Sequence, residues 1–173
     1  MTARTPTTRT SARVVLLDED GAVLLLCGSD PAITDGSAPR WWFTVGGAAR
    51  RGEPLVGTAI RELAEETGLQ TDPELLVGPV WRRDSLIHFN GAVMASEEFY
   101  FVHRAGRFEP SPAGRTALER RYIHGHRWCD AGAIAELVAL GQQVYPLQLG
   151  ELLAKANRLA DGEPCHSDPY LIR

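Results

Sequence analysis

Three glutamates within five residues, Glu62, Glu65 and Glu66, are the side chains of this sequence best arranged for chemistry. They lie in the stretch GAARRGEPLVGTAIRELAEETGL, Gly47 to Leu69, whose second half reads as a helix from Pro54 to about Thr67 with Gly68 as the stop. At about 100° per residue, Glu65 falls about 60° behind Glu62 and Glu66 about 40° ahead of it. All three carboxylates therefore crowd one narrow face. Val56, Ile60, Leu63 and Thr67 lie roughly 100–160° round from Glu62 and form the face that packs on a sheet. The crowding is unfavourable alone. Each like-charge pair costs an isolated helix about 0.2–0.5 kcal/mol, and two charges about 6 Å apart repel by roughly 3 kcal/mol at an effective dielectric of 20. A hard divalent cation, Mg²⁺ or Mn²⁺, turns that penalty into a binding site, because it takes oxygen ligands and shares phosphate oxygens with water. The alternative is a solvated acidic face relieved by Arg61 and water.

The flanks favour the cation. Gly46-Gly47 lets the backbone approach closely and aim a carbonyl at a ligand. Gly52-Glu53 makes a tight entry to the helix, and Arg61 can pair with Glu53 or Glu65 to hold that loop against it.

ARVVLL (residues 12–17) and AVLLLC (22–27) flank the acidic turn Asp18-Glu19-Asp20-Gly21 and read as a β-hairpin. Their near-continuous apolarity predicts strands covered on both faces. Residues 28–40 read as a loop, Trp41 to Val45 as a short strand, and 75–82, 86–89 and 92–104 as further strands. Residues 105–121 read as a polar loop and 123–128 as a strand. Asp130 caps a helix to about Leu140, and a last helix occupies roughly 147–159. The mixture is an α/β or α+β single domain.

Bulk properties narrow the classes. At 173 residues the chain suits one domain. A net charge of −4, from 18 Lys+Arg against 22 Asp+Glu, gives no general attraction to duplex nucleic acid or an anionic membrane. No apolar run is long enough to span a bilayer. Cys27, Cys129 and Cys165 have neither metal-ligand nor disulfide spacing and read as free thiols of a reducing cytoplasm. Residues 1–11, rich in Thr and Arg, read as a flexible leader, and 163–173 as a C-terminal tail.

The Gly47–Leu69 stretch resembles the Nudix box, G-x5-E-x7-R-E-U-x-E-E-x-G-U with U aliphatic. Gly47, Glu53, Arg61, Glu62, Leu63, Glu65, Glu66, Gly68 and Leu69 fill every specified position. By average composition, such a match arises by chance on the order of 10⁻⁹ to 10⁻¹⁰ per starting position. RWWFTVGG before the box and GPVWRR, EEFYFVHR and HRWCD after it extend the likeness over roughly residues 12 to 140, similar to a bacterial MutT-like subgroup of unassigned substrate. Two positions depart from the pattern of many members: Val45 replaces a Pro, and Arg50 replaces a Glu that assists metal binding in some.

The resemblance implies an α/β/α sandwich with a mixed sheet, spanning residues 12–162. It implies that Glu62, Glu65, Glu66 and the Gly47 carbonyl ligate Mg²⁺, with Mn²⁺ as a substitute, and that Glu53, Arg61 and Gly46 orient them. The reaction would be attack of water on phosphorus in a nucleotide-like substrate, a nucleotide sugar, nucleoside triphosphate or dinucleotide. Glu119, in the polar loop before His124, is the preferred general base; Glu66, Glu97, Glu98 and Glu109 are alternatives. Glu97 and Glu98, adjacent on a strand, point to opposite faces. Trp42 (or Trp41) is positioned to stack on the substrate and Arg83 (or Arg82) to meet a phosphate. His124 and His126 form an H-x-H pair with no further ligand nearby. A non-catalytic nucleotide sensor is the rival function. An isoprenoid diphosphate isomerase would need a catalytic cysteine, and messenger-RNA decapping a basic surface. Many relatives are homodimers, and the sequence leaves that state open.

Overall fold

Alternate residues of the first strand serve two different cores, and this explains its unbroken apolarity. In the computed structural model, which describes residues 7–173, strand β1 runs Thr7–Leu17. Val15 and Leu17 join one core with Val23, Leu25, Tyr100 and Val102; Ala12, Val14 and Leu16 join another with Leu24, Leu26 and Val45. A period of two sends neighbours to opposite faces of a sheet, and here both faces are covered.

Around β1 are β2 (Val23–Ser29), β3 (Arg40–Ala48), β4 (Val77–Phe89), β5 (Ala92–Arg104), β6 (Ile123–Cys129), β7 (Gln143–Tyr145) and β8 (Tyr170–Leu171). They form one mixed eight-stranded sheet ordered β6-β2-β3-β1-β5-β4-β8, with β7 on β3. Helix α1 (Leu55–Thr67) covers one face through Ala59 and Leu63. Helices α3 (Ala131–Ala139) and α4 (Leu149–Ala160) cover the other through Ile134, Leu137, Leu149, Leu153 and Leu159. The result is the expected α/β/α sandwich.

The expected hairpin of the first two strands is corrected. The turn is present, but β1 and β2 share a single pairing, Leu17↔Val23, before diverging to other partners. β1 then runs antiparallel to β3 and parallel to β5 from Thr7↔Met94 to Leu17↔Arg104. That long pairing also revises the leader: residues 7–11 belong to β1, and 1–6 lie outside the described residues. The expected tail likewise contributes β8, paired with Trp81 and Arg82, and the buried Ile172. Pro54 is the N-cap of α1 rather than its first helical residue, while Gly68 ends the helix at φ 80° as expected. At the end of the loop read at 105–121, Ala117–Tyr122 forms a short helix, α2. Its Thr116 hydroxyl accepts from the Glu119 N–H while the Glu119 carboxylate accepts from the Thr116 N–H, a reciprocal capping box.

Candidate metal and phosphate site

Strand β3 and helix α1 meet at Gly46-Gly47, and the meeting is tight. A Cβ on Gly47 would lie 2.6 Å from Glu62 Oε1, so a side chain there would displace the carboxylate. At Gly46, φ is 143°, and a Cβ would run into the Ala12 carbonyl. The Gly46 N–H donates to Glu66 Oε2 at 2.9 Å and its carbonyl accepts from Arg13 Nη1 at 2.9 Å. One residue thus joins the acidic helix to a cation on the neighbouring strand.

Arg61 organises the entry loop. Its Nε and Nη2 hold Glu53 bidentately at 2.8 and 3.1 Å, its Nη1 reaches Glu62 at 2.9 Å and Glu65 at 3.2 Å, and Nη2 also donates to the Ala48 carbonyl. Glu53 also accepts from the Arg50 N–H and the Thr58 hydroxyl. Chiefly through Arg61, these bonds hold the Glu53 carboxyl down at about 2. The expected pairing of Arg61 with Glu53 or Glu65 is therefore met by both acids. Arg50, in place of an expected acid, sets its Nη2 3.4 Å from Glu65.

Glu62 and Glu66 are different. Both are buried, and Glu62 Oε2 and Glu66 Oε1 have no hydrogen-bond partner among the described residues. Burial raises the Glu62 carboxyl above its ordinary range, with Arg61 pulling back. Burial, then the Glu62 charge, raises Glu66 further. Leaving a buried acceptor unpaired costs about 1–3 kcal/mol, more for a charged group, and a cation is the partner that would relieve two carboxylates together. Glu62, Glu65 and Glu119 each bring a carboxylate oxygen within 4.8 Å of the others. The donor set is hard oxygen throughout and fits Mg²⁺ or Mn²⁺.

Glu119 reaches this cluster from the capped turn of α2. Its capping signature, Thr116-x-x-Glu119, was readable in the sequence and would have found the helix. Of the other candidate bases, Glu66 lies in the site and the rest lie elsewhere. Glu98 is buried between Arg13 and Arg83, Glu97 pairs with Arg82 on the opposite face, and Glu109 is exposed beside His126. His124 bonds Ser29 instead of sharing a ligand with His126. Trp42 is half-buried against the core under α3 and α4, with its N–H on Gln142; it stands four residues before Gly46, about 13 Å along the strand. Arg83 is buried beside Glu98, with its guanidinium 5.1 Å from the Tyr145 ring. Arg9, Arg13 and Tyr122 also lie near the acids and were not singled out by sequence. A cleft of about 540 Å³, lined by Asp20, Arg107, Arg127, Asp130 and Glu136, lies beyond the far end of β1, and among the described residues its carboxylates do not gather as Glu62, Glu65 and Glu119 do.

The NUDIX domain family pattern matches residues 7–148, and the chain belongs to the Nudix family. Among solved structures it is similar to an E. coli dihydroneopterin triphosphate pyrophosphohydrolase, at 20% identity over 87% of this chain and 97% of that one, TM-score 0.59. It is also similar to DR0079 from Deinococcus radiodurans (18%, 90% and 88%, TM-score 0.55) and to a C. elegans Ap4A hydrolase (16%, 88% and 98%, TM-score 0.51). These likenesses share the fold. No curated protein matches the chain. Among the described residues, no helix is long and apolar enough to cross a membrane.

Proposed function

We propose that this protein hydrolyses a diphosphate linkage in a nucleoside diphosphate derivative, a nucleotide sugar, nucleoside triphosphate or dinucleotide, with a divalent cation. The observation that carries the reading is the pair of buried, unpartnered oxygens, Glu62 Oε2 and Glu66 Oε1, beside the Glu62–Glu65–Glu119 group. Glu62, Glu65, Glu66 and the Gly47 carbonyl would hold Mg²⁺ or Mn²⁺. When bound, the cation supplies neutralising charge to the phosphate oxygens.

The chain's own groups do the rest. Arg61 fixes the Glu53 loop and both Glu62 and Glu65, so the carboxylates are aimed before substrate arrives. Glu119 accepts a proton from the attacking water. A P–O bond forms to that water oxygen as the bridging P–O bond breaks. The capping bond from Thr116 holds one Glu119 oxygen, which orients the other. Arg83 and Trp42 would meet the remainder of the substrate. The fold relatives whose names give an activity act on phosphoanhydrides, which agrees with this reaction class.

A non-catalytic sensor is the second reading, favoured by Arg50 beside Glu65, where it competes with a cation for that carboxylate. Phosphate release from a panel of nucleoside triphosphates, nucleotide sugars and dinucleotides, with Mg²⁺ and with Mn²⁺, separates the two. The hydrolase gives metal-dependent turnover that Glu65→Gln lowers by about 10²-fold or more. Ligand binding without turnover on any compound would decide for the sensor.

A further inference from the structure

Unpartnered polar atoms also gather on the sheet, on the face that carries Val15, Leu17 and Val102 rather than the one α1 covers. The register of β1, β5 and β4 places Ser11, Glu98 and Arg83 in one row and Arg9, Ser96 and Ser85 in the next, all on one face. Arg13 and Tyr100 continue the patch. Ser11, Ser96, Glu98 and Arg83 are each more than nine-tenths buried. Among the described residues, Arg9 Nε, Ser11 Oγ, Arg83 Nη1, Ser85 Oγ and Ser96 Oγ have no hydrogen-bond partner. Arg83 Nε lies 3.1 Å from Glu98 Oε2 but out of line for a hydrogen bond.

Charge within the patch itself does not balance. Three guanidiniums face the one carboxylate of Glu98, and the charges of Glu62 and Glu66 reach Arg9 and Arg13 only from the neighbouring acidic site. Both Glu98 oxygens are engaged: Oε1 pairs with Arg13 at 3.3 Å, and Oε2 pairs with Arg83 and accepts from the Tyr100 hydroxyl at 3.0 Å. Arg13 is further held by the carbonyls of Gly46 and Thr44. That leaves donor capacity on Arg9 and Arg83. Their Cα atoms sit diagonally across three strands, roughly 12 Å apart by sheet geometry, a span two arginine side chains can close around one small group.

We propose that this floor binds a second oxyanion of the substrate, a phosphate or carboxylate carried beyond the scissile diphosphate, with Arg9 and Arg83 as its cationic partners and Ser11, Ser85 and Ser96 as hydroxyl donors. The proposal rests on the hydrolase reading above and narrows its substrate class. A neutral sugar would satisfy the serines and leave the guanidiniums uncompensated. A nucleobase would need a free aromatic face, whereas the nearby rings of Phe43 and Tyr145 already carry Arg13 and Arg83 at 6.0 and 5.1 Å. Arg13 links the floor to the acidic site through Gly46, its guanidinium on the Gly46 carbonyl and the Gly46 N–H on Glu66, so the two stand one residue apart. An oxyanion accepts the forked N–H groups of arginine and the serine hydroxyls at once.

Calorimetric binding to the metal-free protein tests this without turnover. Ribose 5-phosphate and glucuronate present the two oxyanions, and ribose is the neutral control. Saturable binding of at least one anion and none of ribose is expected; which anion binds distinguishes phosphate from carboxylate. Arg9→Gln, at a half-exposed position near the start of β1, weakens that binding at least tenfold, and Arg9→Lys weakens it less. The double variant Ser11→Ala/Ser96→Ala, which removes only hydroxyls, weakens it several-fold in a folded protein. Equal affinity in wild type and Arg9→Gln, no saturable binding of either anion, or ribose binding as tightly as the anions would overturn the proposal. Failure here with turnover intact leaves the hydrolase standing, while anion binding without turnover points to the sensor.

Discussion

Two polar regions stand near opposite ends of β1, and only one of them is closed. At the C-terminal end Asp18 is buried, its Oδ1 accepting from the N–H groups of Asp20 and Ala22 and its Oδ2 from Arg107. Arg104 ties the Asp18 carbonyl to Asn157, whose amide donates to the Gly21 carbonyl. At the other end Glu62, Glu66, Ser11, Ser96 and Arg83 are as deeply buried, yet each keeps an atom without a partner among the described residues. The closed region reads as architecture. Buried polar groups are ordinarily satisfied, so a region that leaves several open points to something that arrives from outside.

The largest expected effect breaks the open region through its geometry. Gly47→Ala places a methyl group against Glu62 Oε1 and should lower phosphate release about 10²-fold, because a misplacement of about 1 Å can cost that much. Steady-state kinetics beside a melting curve check it; unchanged turnover would mean that Glu62 can move freely. Breaking the closed region should do the reverse. Asp18→Ala strands two backbone donors and loosens Arg107, costing about 2–3 kcal/mol in denaturant titration with turnover per folded molecule retained.

Acid and base separate the regions next, and the signs differ. Burial, then the Glu62 charge, holds the Glu66 carboxyl well above its ordinary 4.5. The folded metal-free protein then keeps a proton that the unfolded chain releases, so its stability falls as pH rises from 4.5 upward. Glu66→Gln should flatten that fall in Tm recorded without metal. Asp18 behaves oppositely. Burial alone would raise it, but the Arg107 bond and the Ala22 N–H outweigh burial and hold it below 3.8. Its contribution is present above 3.8 and is lost as pH drops through the folded value, so Asp18→Asn should flatten the acid limb. If either substitution leaves its limb unchanged, that carboxylate does not set the slope.

The smallest effect is the sharpest contrast. Ser96→Ala removes a hydroxyl that has no partner among the described residues and should change stability by only about 0.5 kcal/mol, while Asn157→Ala, which empties several bonds, should cost about 1–3 kcal/mol. Chemical denaturation of both variants compares them directly.

What the sequence made legible follows the same division. The acidic face of α1, its Gly68 stop and the two glycines before it are local patterns, set by helical rotation and backbone sterics, and they stand where the spacing placed them. The two-faced burial of β1 was readable because every residue from Val14 to Leu17 is aliphatic. The arginine–serine floor was not readable. Arg9 and Ser11 fell within a stretch that looked like a leader, and nothing local announces that they pair in parallel with Ser96 and Glu98. Register across distant strands creates that patch, and register is invisible to short-range pattern. Helix α2 escapes for another reason: six residues are too few to display a helical period, although the cap motif is there.

The parallel pairing of β1 with β5 also bears on how the chain is made. A strand at the middle of the sheet must wait for a partner that emerges from the ribosome roughly 90 residues later, and such non-local contacts close slowly. Until then the aliphatic run Val14–Leu17 has an open edge on the β5 side, and the face that α3 and α4 cover stays bare longer still, a state prone to associating with other nascent chains. The strand that anchors the finished protein is thus the segment that most needs shelter during synthesis.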